Sequence, residues 1–248
     1  MIGMSHCRAF VDRFPTLGLA YRNFRDVVVD LRQRRQDTPY GFSLIGESFI
    51  ASGKHEPEAV RAFMESDFAM LIDVGANVGF YTCLAASRGK SVIAVEPLPR
   101  NVRYLRQNLV DNQLANVEVH PVAVANTSGV MKLYGRYQGA SLIPHWGKQP
   151  TFDYSEVEVT TLDRILGARG ENIKIFVKID VEGAEHLVLA GAEHLLSQSP
   201  VVMMEVANRD RNQPTGLNPH FDEVMQVMLD HGYLRRQLDS VNWLFTKH

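Results

Sequence analysis

The chain has 248 residues, 45% hydrophobic and 22% charged, with a formal net charge of −2. That fits one large α/β domain, or a domain with an appendage, long enough to bury a substantial core. The balanced charge gives no general pull toward nucleic acid, and no run of about eighteen apolar residues marks a membrane span.

Cys7 and Cys83 have neither metal-ligand nor disulfide-framework spacing, so a reducing, cytoplasmic compartment is expected. The N-terminus lacks the basic-then-apolar order of a secretory leader. Residues 1–36 hold seven Arg against three Asp. Within them Leu17, Ala20, Tyr21, Phe24, Val27, Val28 and Leu31 recur at the spacing of an amphipathic helix. Arg22, Arg25, Arg32, Arg34 and Arg35 fall off that stripe. The expected arrangement is the stripe packed on the main domain with the basic face in water. Docking to a membrane surface or a partner is the alternative. Residues 1–65 are read as an N-terminal helical extension and 66–248 as the main domain.

A polar stretch leads to a predicted helix over 58–66. Then "FAMLIDVG" reads as a buried strand running into a glycine turn, and "GFYTCLAASRG" as a helix ended by Gly89. "SVIAVEP" is a strand stopped by Pro97. "RNVRYLRQNLVDNQ" is a helix with Val102, Leu105 and Leu109 on one face, and "NVEVHPVAV" is a third strand. This alternation has βαβ spacing and predicts a parallel sheet. Residues 129–160 break the rhythm, with strands at "GVMKLYG" and "VEVTTLD" and a long loop between them that carries Tyr137, His145, Trp146 and Tyr154. A loop of that length is usually functional or mobile. The alternation resumes with a strand over 173–179, a helix over 184–197 and a strand over 200–206. A second loop, 208–220, bears Arg209 and Arg211. A helix with Phe221, Val224, Met225 and Met228 on one side follows, then two short strands joined near Asp239-Ser240.

"DVGANVG", 73–79, is the most informative segment. A strand ends in an acid, and a glycine-rich turn opens a helix whose free N–H groups suit an anionic ligand. The dinucleotide pattern is G-x-G-x-x-G. Here Gly75-x-Asn77-x-Gly79 is one residue shorter, and Asp73 repels a diphosphate but attracts an amino group. S-adenosylmethionine carries such a group. Glu96 ends the next strand, 21 residues after Gly75, where an acid accepts hydrogen bonds from ribose hydroxyls.

"DVGANVGFYT" (73–82), "VEPLPRNVRYLRQN" (95–108), "TTLD" (160–163), "VKIDVEGAE" (177–185) and "MME" (203–205) together resemble the FkbM family of S-adenosylmethionine-dependent methyltransferases. The resemblance implies a class I methyltransferase, Rossmann-like fold: a seven-stranded sheet, its last strand inserted antiparallel, with helices on both faces. It also implies a cofactor-binding set of Asp73, Gly75, Ala76, Asn77, Gly79, Tyr81, Glu96, Pro97 and Asp180.

In that strand order the ends of the first and fourth strands are neighbours, and ligands sit outside the carboxyl ends of strands. Asp180 then faces the cofactor turn, Glu182 follows it on the loop, and Glu205 ends the fifth strand on the same rim. Asp180, Glu182 and Glu205 are the candidate catalytic residues, either as a base for an alcohol or as holders of a divalent ion such as Mg²⁺ that acidifies it. Three acids with no His or Asn beside them make an incomplete metal signature, so no metal ligand is assigned. Lys178 is expected to pair with a rim acid and His186 to lie on a helix surface.

The resemblance implies O-methylation, often of sugar hydroxyls, and the loop aromatics suit the apolar faces of sugars. The expected partner is a small-molecule or glycan acceptor, with no nucleic acid. Two other classes stay open: a nicotinamide-dependent oxidoreductase, against which Asn77 and Asp73 argue, and a non-catalytic S-adenosylmethionine-binding scaffold.

Overall fold

The computed structural model describes residues 15–167, 169, 173–207 and 218–247. Arg209 and Arg211 lie outside them. The apolar runs with glycine or proline stops become α1 (Pro15–Arg32), β1 (Gln36–Asp37), β2 (Ser43–Leu44), α2 (Ser48–Ala51), α3 (Pro57–Glu65), β3 (Met70–Val74), α4 (Phe80–Ala86), β4 (Ser91–Val95), α5 (Pro99–Asp111) and β5 (Val117–His120). Next come β6 (Ala123–Val124), β7 (Gly129–Tyr134), β8 (Tyr154–Thr160), α6 (Leu162–Leu166), β9 (Ile175–Ile179), α7 (Glu185–Leu189), α8 (Glu193–Ser197) and β10 (Val201–Glu205). The chain ends with α9 (Phe221–Asp230), β11 (Leu234–Gln237) and β12 (Asn242–Thr246).

Seven strands form one sheet in the order β11-β12-β10-β9-β3-β4-β5. Pairs β10–β9, β9–β3, β3–β4 and β4–β5 are parallel, and β12 runs antiparallel between β10 and β11. This is the class I methyltransferase sheet. Successive residues of each central strand enter opposite layers, because side chains alternate across a strand. Ile72, Val74, Ile93, Val95, Val177, Val202 and Met204 join a cluster with Val224, Met225 and Met228 of α9. Leu71, Val92, Ala94, Phe176 and Met203 join a second cluster with Leu84, Leu105 and the 42–63 segment. There Phe63 meets Phe176 edge-on, centroids 4.9 Å apart. Burying one such ring contributes roughly 1.5–3 kcal/mol.

Three sequence expectations need correction. The third strand is two: Pro121, which lacks a backbone donor, parts β5 from β6, and β6 leaves for a separate three-stranded sheet, β6-β8-β7. The helix expected over 184–197 is also two, α7 and α8. Gly191 lies between them against Ala125, whose carbonyl oxygen would stand 2.3 Å from any Cβ. The third correction concerns α1. Its apolar stripe faces solvent: Phe24 is 70% and Leu31 71% exposed, and Leu17, Tyr21 and Val27 are exposed too. The polar side is the one that packs. Buried Arg22 approaches Asp153 at 3.5 Å, Asp26 takes Arg136 at 2.6 Å, and Asp30 takes Arg100 at 2.9 Å and Arg103 at 2.5 Å.

Candidate active site

The chain leaves β3 toward β4 on one side, and β9 lies on β3's other side. At this switch in strand order, ligands bind beyond the carboxyl ends of strands. A cleft of about 400 Å³ opens there, lined by residues following β3, β4, β9 and β10. That is within the range of small-molecule sites.

The turn after β3 is tight for an internal reason. Gly75 has φ +83°, and a Cβ there would lie 1.8 Å from the Asp180 carbonyl oxygen. The loops after β3 and β9 cross at that point, and Asp180 N–H donates to the Val74 carbonyl at 2.9 Å. Gly75 and Ala76 N–H both donate to the Val95 carbonyl, at 2.9 and 3.0 Å, and Gly79 N–H donates to Ala76. Asn77 N–H donates to Glu96 Oε2 at 2.8 Å. The N–H groups of Gly75, Ala76, Asn77 and Gly79 are therefore spent inside the protein, not free for an anion as the sequence suggested. Gly79 does not line the cleft; it packs on Leu105, whose Cδ1 would stand 2.4 Å from a Cβ.

The cleft's polar wall is one of acceptors. Glu96 is buried, accepts from Asn77, from Leu98 N–H at 2.9 Å and from Asn101 at 3.4 Å, and burial pushes its carboxyl up to about 7 against those bonds. Asp73 accepts from the Thr82 hydroxyl at 2.6 Å, and burial raises it to about 6. Asn77 Oδ1 is buried with no partner among the described residues. A buried acceptor without a donor is costly. The wall fits a ligand rich in hydroxyl and amino donors, which is what the ribose and the amino-acid end of S-adenosylmethionine offer. A diphosphate fits it poorly. Tyr81, Pro97 and Asp180 line the same cleft.

Beyond Asp180 the charges concentrate. Lys178 pairs with Asp73 across β9 and β3. Its ammonium is almost wholly buried and makes no hydrogen bond among the described residues. It lies 3.6 Å from Asp180. Burial pulls its pKa down, but Asp180, Glu56, Glu205 and Asp73 hold it above the usual lysine value. Glu56, Asp180 and Glu205 each place an oxygen within 4.8 Å of the others'. Glu56 also accepts from the Tyr81 hydroxyl at 2.9 Å. Against its own burial, Lys178 and His55 bring Glu56 down to about 2. Asp180, and then burial, hold the Glu205 carboxyl well above the carboxylate range. An ammonium already faces these three acids, so the donor set suits a lysine cation better than a divalent ion, which would sit beside a buried like charge.

Glu182 stands on the far side of Asp180. Its backbone is left-handed, φ +55°. Ser141 Oγ–H donates to its carbonyl at 2.6 Å, and Trp146 Nε1–H donates to its carboxylate at 2.8 Å. Burial and Asp180 raise it to about 7. Trp146 lies so close over Gly183 that a Cβ there would meet the ring at 2.4 Å. The long β7–β8 loop thus folds back on the acids: Trp146 meets Glu182 while Tyr137 lines the cleft.

All three candidate catalytic acids therefore border one cleft, as do eight of the nine candidate cofactor residues, Gly79 excepted. Sequence reading missed Glu56, which precedes α3 in a polar stretch without periodicity, and the central place of Lys178. Glu185 fell inside the predicted 184–197 helix and was given no place at the site. Glu185 is a buried acid that accepts from Gly183 N–H at 3.0 Å and Asn218 Nδ2 at 2.7 Å. His186 stacks on His220 with ring centroids 3.5 Å apart, outside the cleft. Cys83 is buried, and burial pushes its thiol up to about 12, so it is inert.

A family model, "Methyltransferase FkbM domain", matches residues 73–235. No curated protein matches the sequence. Solved structures similar to the chain include the methyltransferase FkbM from Methylobacillus flagellatus KT, at 19% identity and a TM-score of 0.47, covering 72% of this chain and 43% of that one. This chain thus spans less than half of that protein's length. Others are precorrin-6y C5,15-methyltransferase from Geobacter metallireducens GS-15, at 12% identity and a TM-score of 0.46, covering 78% and 87%, and a SAM-dependent methyltransferase from Aquifex aeolicus, at 13% identity and 0.45, covering 80% and 93%.

Proposed function

We propose that this chain, which belongs to the FkbM methyltransferase family, transfers a methyl group from S-adenosylmethionine to a hydroxyl of a sugar, a glycan or another small natural product. The observation that carries this reading is Glu182. It is a carboxyl raised to about 7, bordering the cleft beside Asp180 and tied to a tryptophan of the overlying loop. An alcohol must lose its proton as it attacks, and a carboxylate at the cleft can take it.

Asp73, Asn77 and Glu96 are the residues that would hold the cofactor's amino and hydroxyl donors. When bound, S-adenosylmethionine supplies a methyl carbon on a sulfonium centre, open to in-line displacement. Glu182 accepts the acceptor's proton at its carboxylate. Lys178 stands 3.6 Å from Asp180 and faces Glu56 and Glu205, which orients the rim. Trp146 closes over Glu182 and Gly183, and Tyr137 walls the cleft, which excludes water from the acids. No step needs Mg²⁺, and activity that survives chelation is expected.

The test is calorimetric titration of the protein with S-adenosylhomocysteine and, separately, NADH, on wild type and Asp73→Asn. Binding of the homocysteine compound alone, weakened about tenfold or more by the loss of one charge-assisted bond, is the expected result. Binding of NADH would replace this reading with the oxidoreductase one. If the cofactor binds but no hydroxyl compound is methylated in a screen with and without EDTA, the O-methylation reading fails and the scaffold or another acceptor atom takes its place.

A further inference from the structure

We infer that α1 is a membrane-surface anchor whose outward apolar stripe inserts at the interface of an anionic bilayer. No helix among the described residues is long and apolar enough to cross a membrane, so the contact is peripheral. Five large side chains, Leu17, Tyr21, Phe24, Val27 and Leu31, stand exposed along one face of an eighteen-residue helix. A surface helix normally turns such a stripe to the core. Here the core side is taken by Arg22, Asp26 and Asp30, which bond the body.

Charge identifies the occupant. Residues 15–35 hold five Arg and two Asp. Both acids turn inward and are neutralised by Arg136, Arg100 and Arg103. Arg32 and Arg34 stay exposed at the C-terminal end of the stripe, with Arg35 half exposed beside them and paired with Asp111. An apolar stripe with a cationic fringe matches lipid tails flanked by anionic headgroups. A second copy meeting this face would bring a like fringe and no carboxylate of α1 to receive it. The position also suits delivery: Asp26 on the inner face accepts from the hydroxyl of Tyr137, which lines the cleft. The bilayer surface would lie about one helix diameter, ~10 Å, from a cleft wall.

The experiment is sedimentation of the full chain with vesicles of phosphatidylcholine alone or with phosphatidylglycerol, at about 0.15 M salt, for wild type, Phe24→Asp/Leu31→Asp and Arg32→Glu/Arg34→Glu. All the substituted positions are exposed, so each variant keeps its fold, checked by S-adenosylhomocysteine binding and circular dichroism. Wild type is expected to pellet with the anionic vesicles, and each double variant to partition at least tenfold less. Wild type left in the supernatant with both vesicles overturns the inference, and so does binding that both variants retain. A dimer in sedimentation velocity that Phe24→Asp/Leu31→Asp dissolves, without vesicle binding, overturns it in favour of a second copy.

Discussion

At the scale of single residues, Glu182 combines the role of base proposed above with a left-handed backbone. A non-glycine residue in the left-handed region costs of order 1–3 kcal/mol and persists only where its surroundings enforce it. Ser141, Trp146 and the glycine that follows are the enforcers. With a carboxyl near pKa 7, the base form grows as pH rises, so kcat/KM should climb through about pH 7 and level off above it. Glu182→Gln should lose a hundredfold or more of kcat, the usual contribution of a general base being about 10²–10⁴. The Trp146 bond favours the charged form, so Trp146→Phe should move the acid limb to higher pH. Ionisation can be followed without an acceptor: the fluorescence difference between wild type and Trp146→Phe should titrate near pH 7. A wild-type rate profile flat through pH 7 removes Glu182 as the base. Asp180 and Glu205 were legible because strand ends can be read from apolar runs and the strand order puts those ends on one rim. Glu56 was not, because nothing local announces that a residue before α3 reaches β9. The turn glycines were legible as a turn, but Gly75 answers to the Asp180 carbonyl and Gly79 to Leu105, contacts between segments far apart in sequence.

At the scale of elements, the βαβ alternation and the terminal antiparallel insertion could be read because apolar runs and stops are local. The periodicity of α1 was equally clear, but it says only that a helix has two unlike faces. Which face meets the body depends on what the body offers, and here it offers Arg136, Asp153, Arg100 and Arg103. Tyr137 reinforces them, its ring under the guanidinium groups of Arg25 at 5.6 Å and Arg100 at 4.3 Å. A helix held this way is tethered electrostatically. Partly exposed ion pairs contribute about 0–1 kcal/mol each and weaken with salt, whereas apolar burial does not weaken. Amide hydrogen exchange over 15–32 should therefore be faster than over α5 and accelerate in 1 M NaCl, and Asp26→Asn/Asp30→Asn should give the same acceleration at low salt. Exchange over α1 as slow as over α5, and indifferent to salt, would mean the stripe is covered by something apolar already.

At the scale of the whole molecule, the buried acids set how stability depends on pH. Asp73, Glu96 and Glu185 are raised by burial from 3.8, 4.5 and 4.5 to about 6, 7 and 7. Their folded pKa exceeds the unfolded one, so between about pH 4 and pH 7 the folded state binds more protons. Stability then falls as pH rises through that window. Asp30 and Glu56 act oppositely. Against their burial, Arg103 and Arg100 hold Asp30 below its ordinary value, and Lys178 and His55 bring Glu56 to about 2. Their contribution is present above about pH 4.5 and lost as pH falls toward 2. The free protein should be most stable near pH 5, earlier than the near-neutral maximum common to globular proteins. A loss of only ~2 kcal/mol between pH 5 and pH 8 would lower Tm by about 4–8 °C. The acids responsible line the cleft or support it, so a ligand that brings an ammonium to Asp73 and hydroxyls to Glu96 favours their charged forms and should flatten the slope. Thermal scans from pH 4 to pH 8.5 with and without saturating S-adenosylhomocysteine check both halves. Binding should also tighten with rising pH as Asp73 ionises, because ligand and protons compete for the same carboxylate. A Tm that rises steadily to pH 8 without ligand would mean that these carboxyls are ionised in the free protein and that the cleft is already solvated.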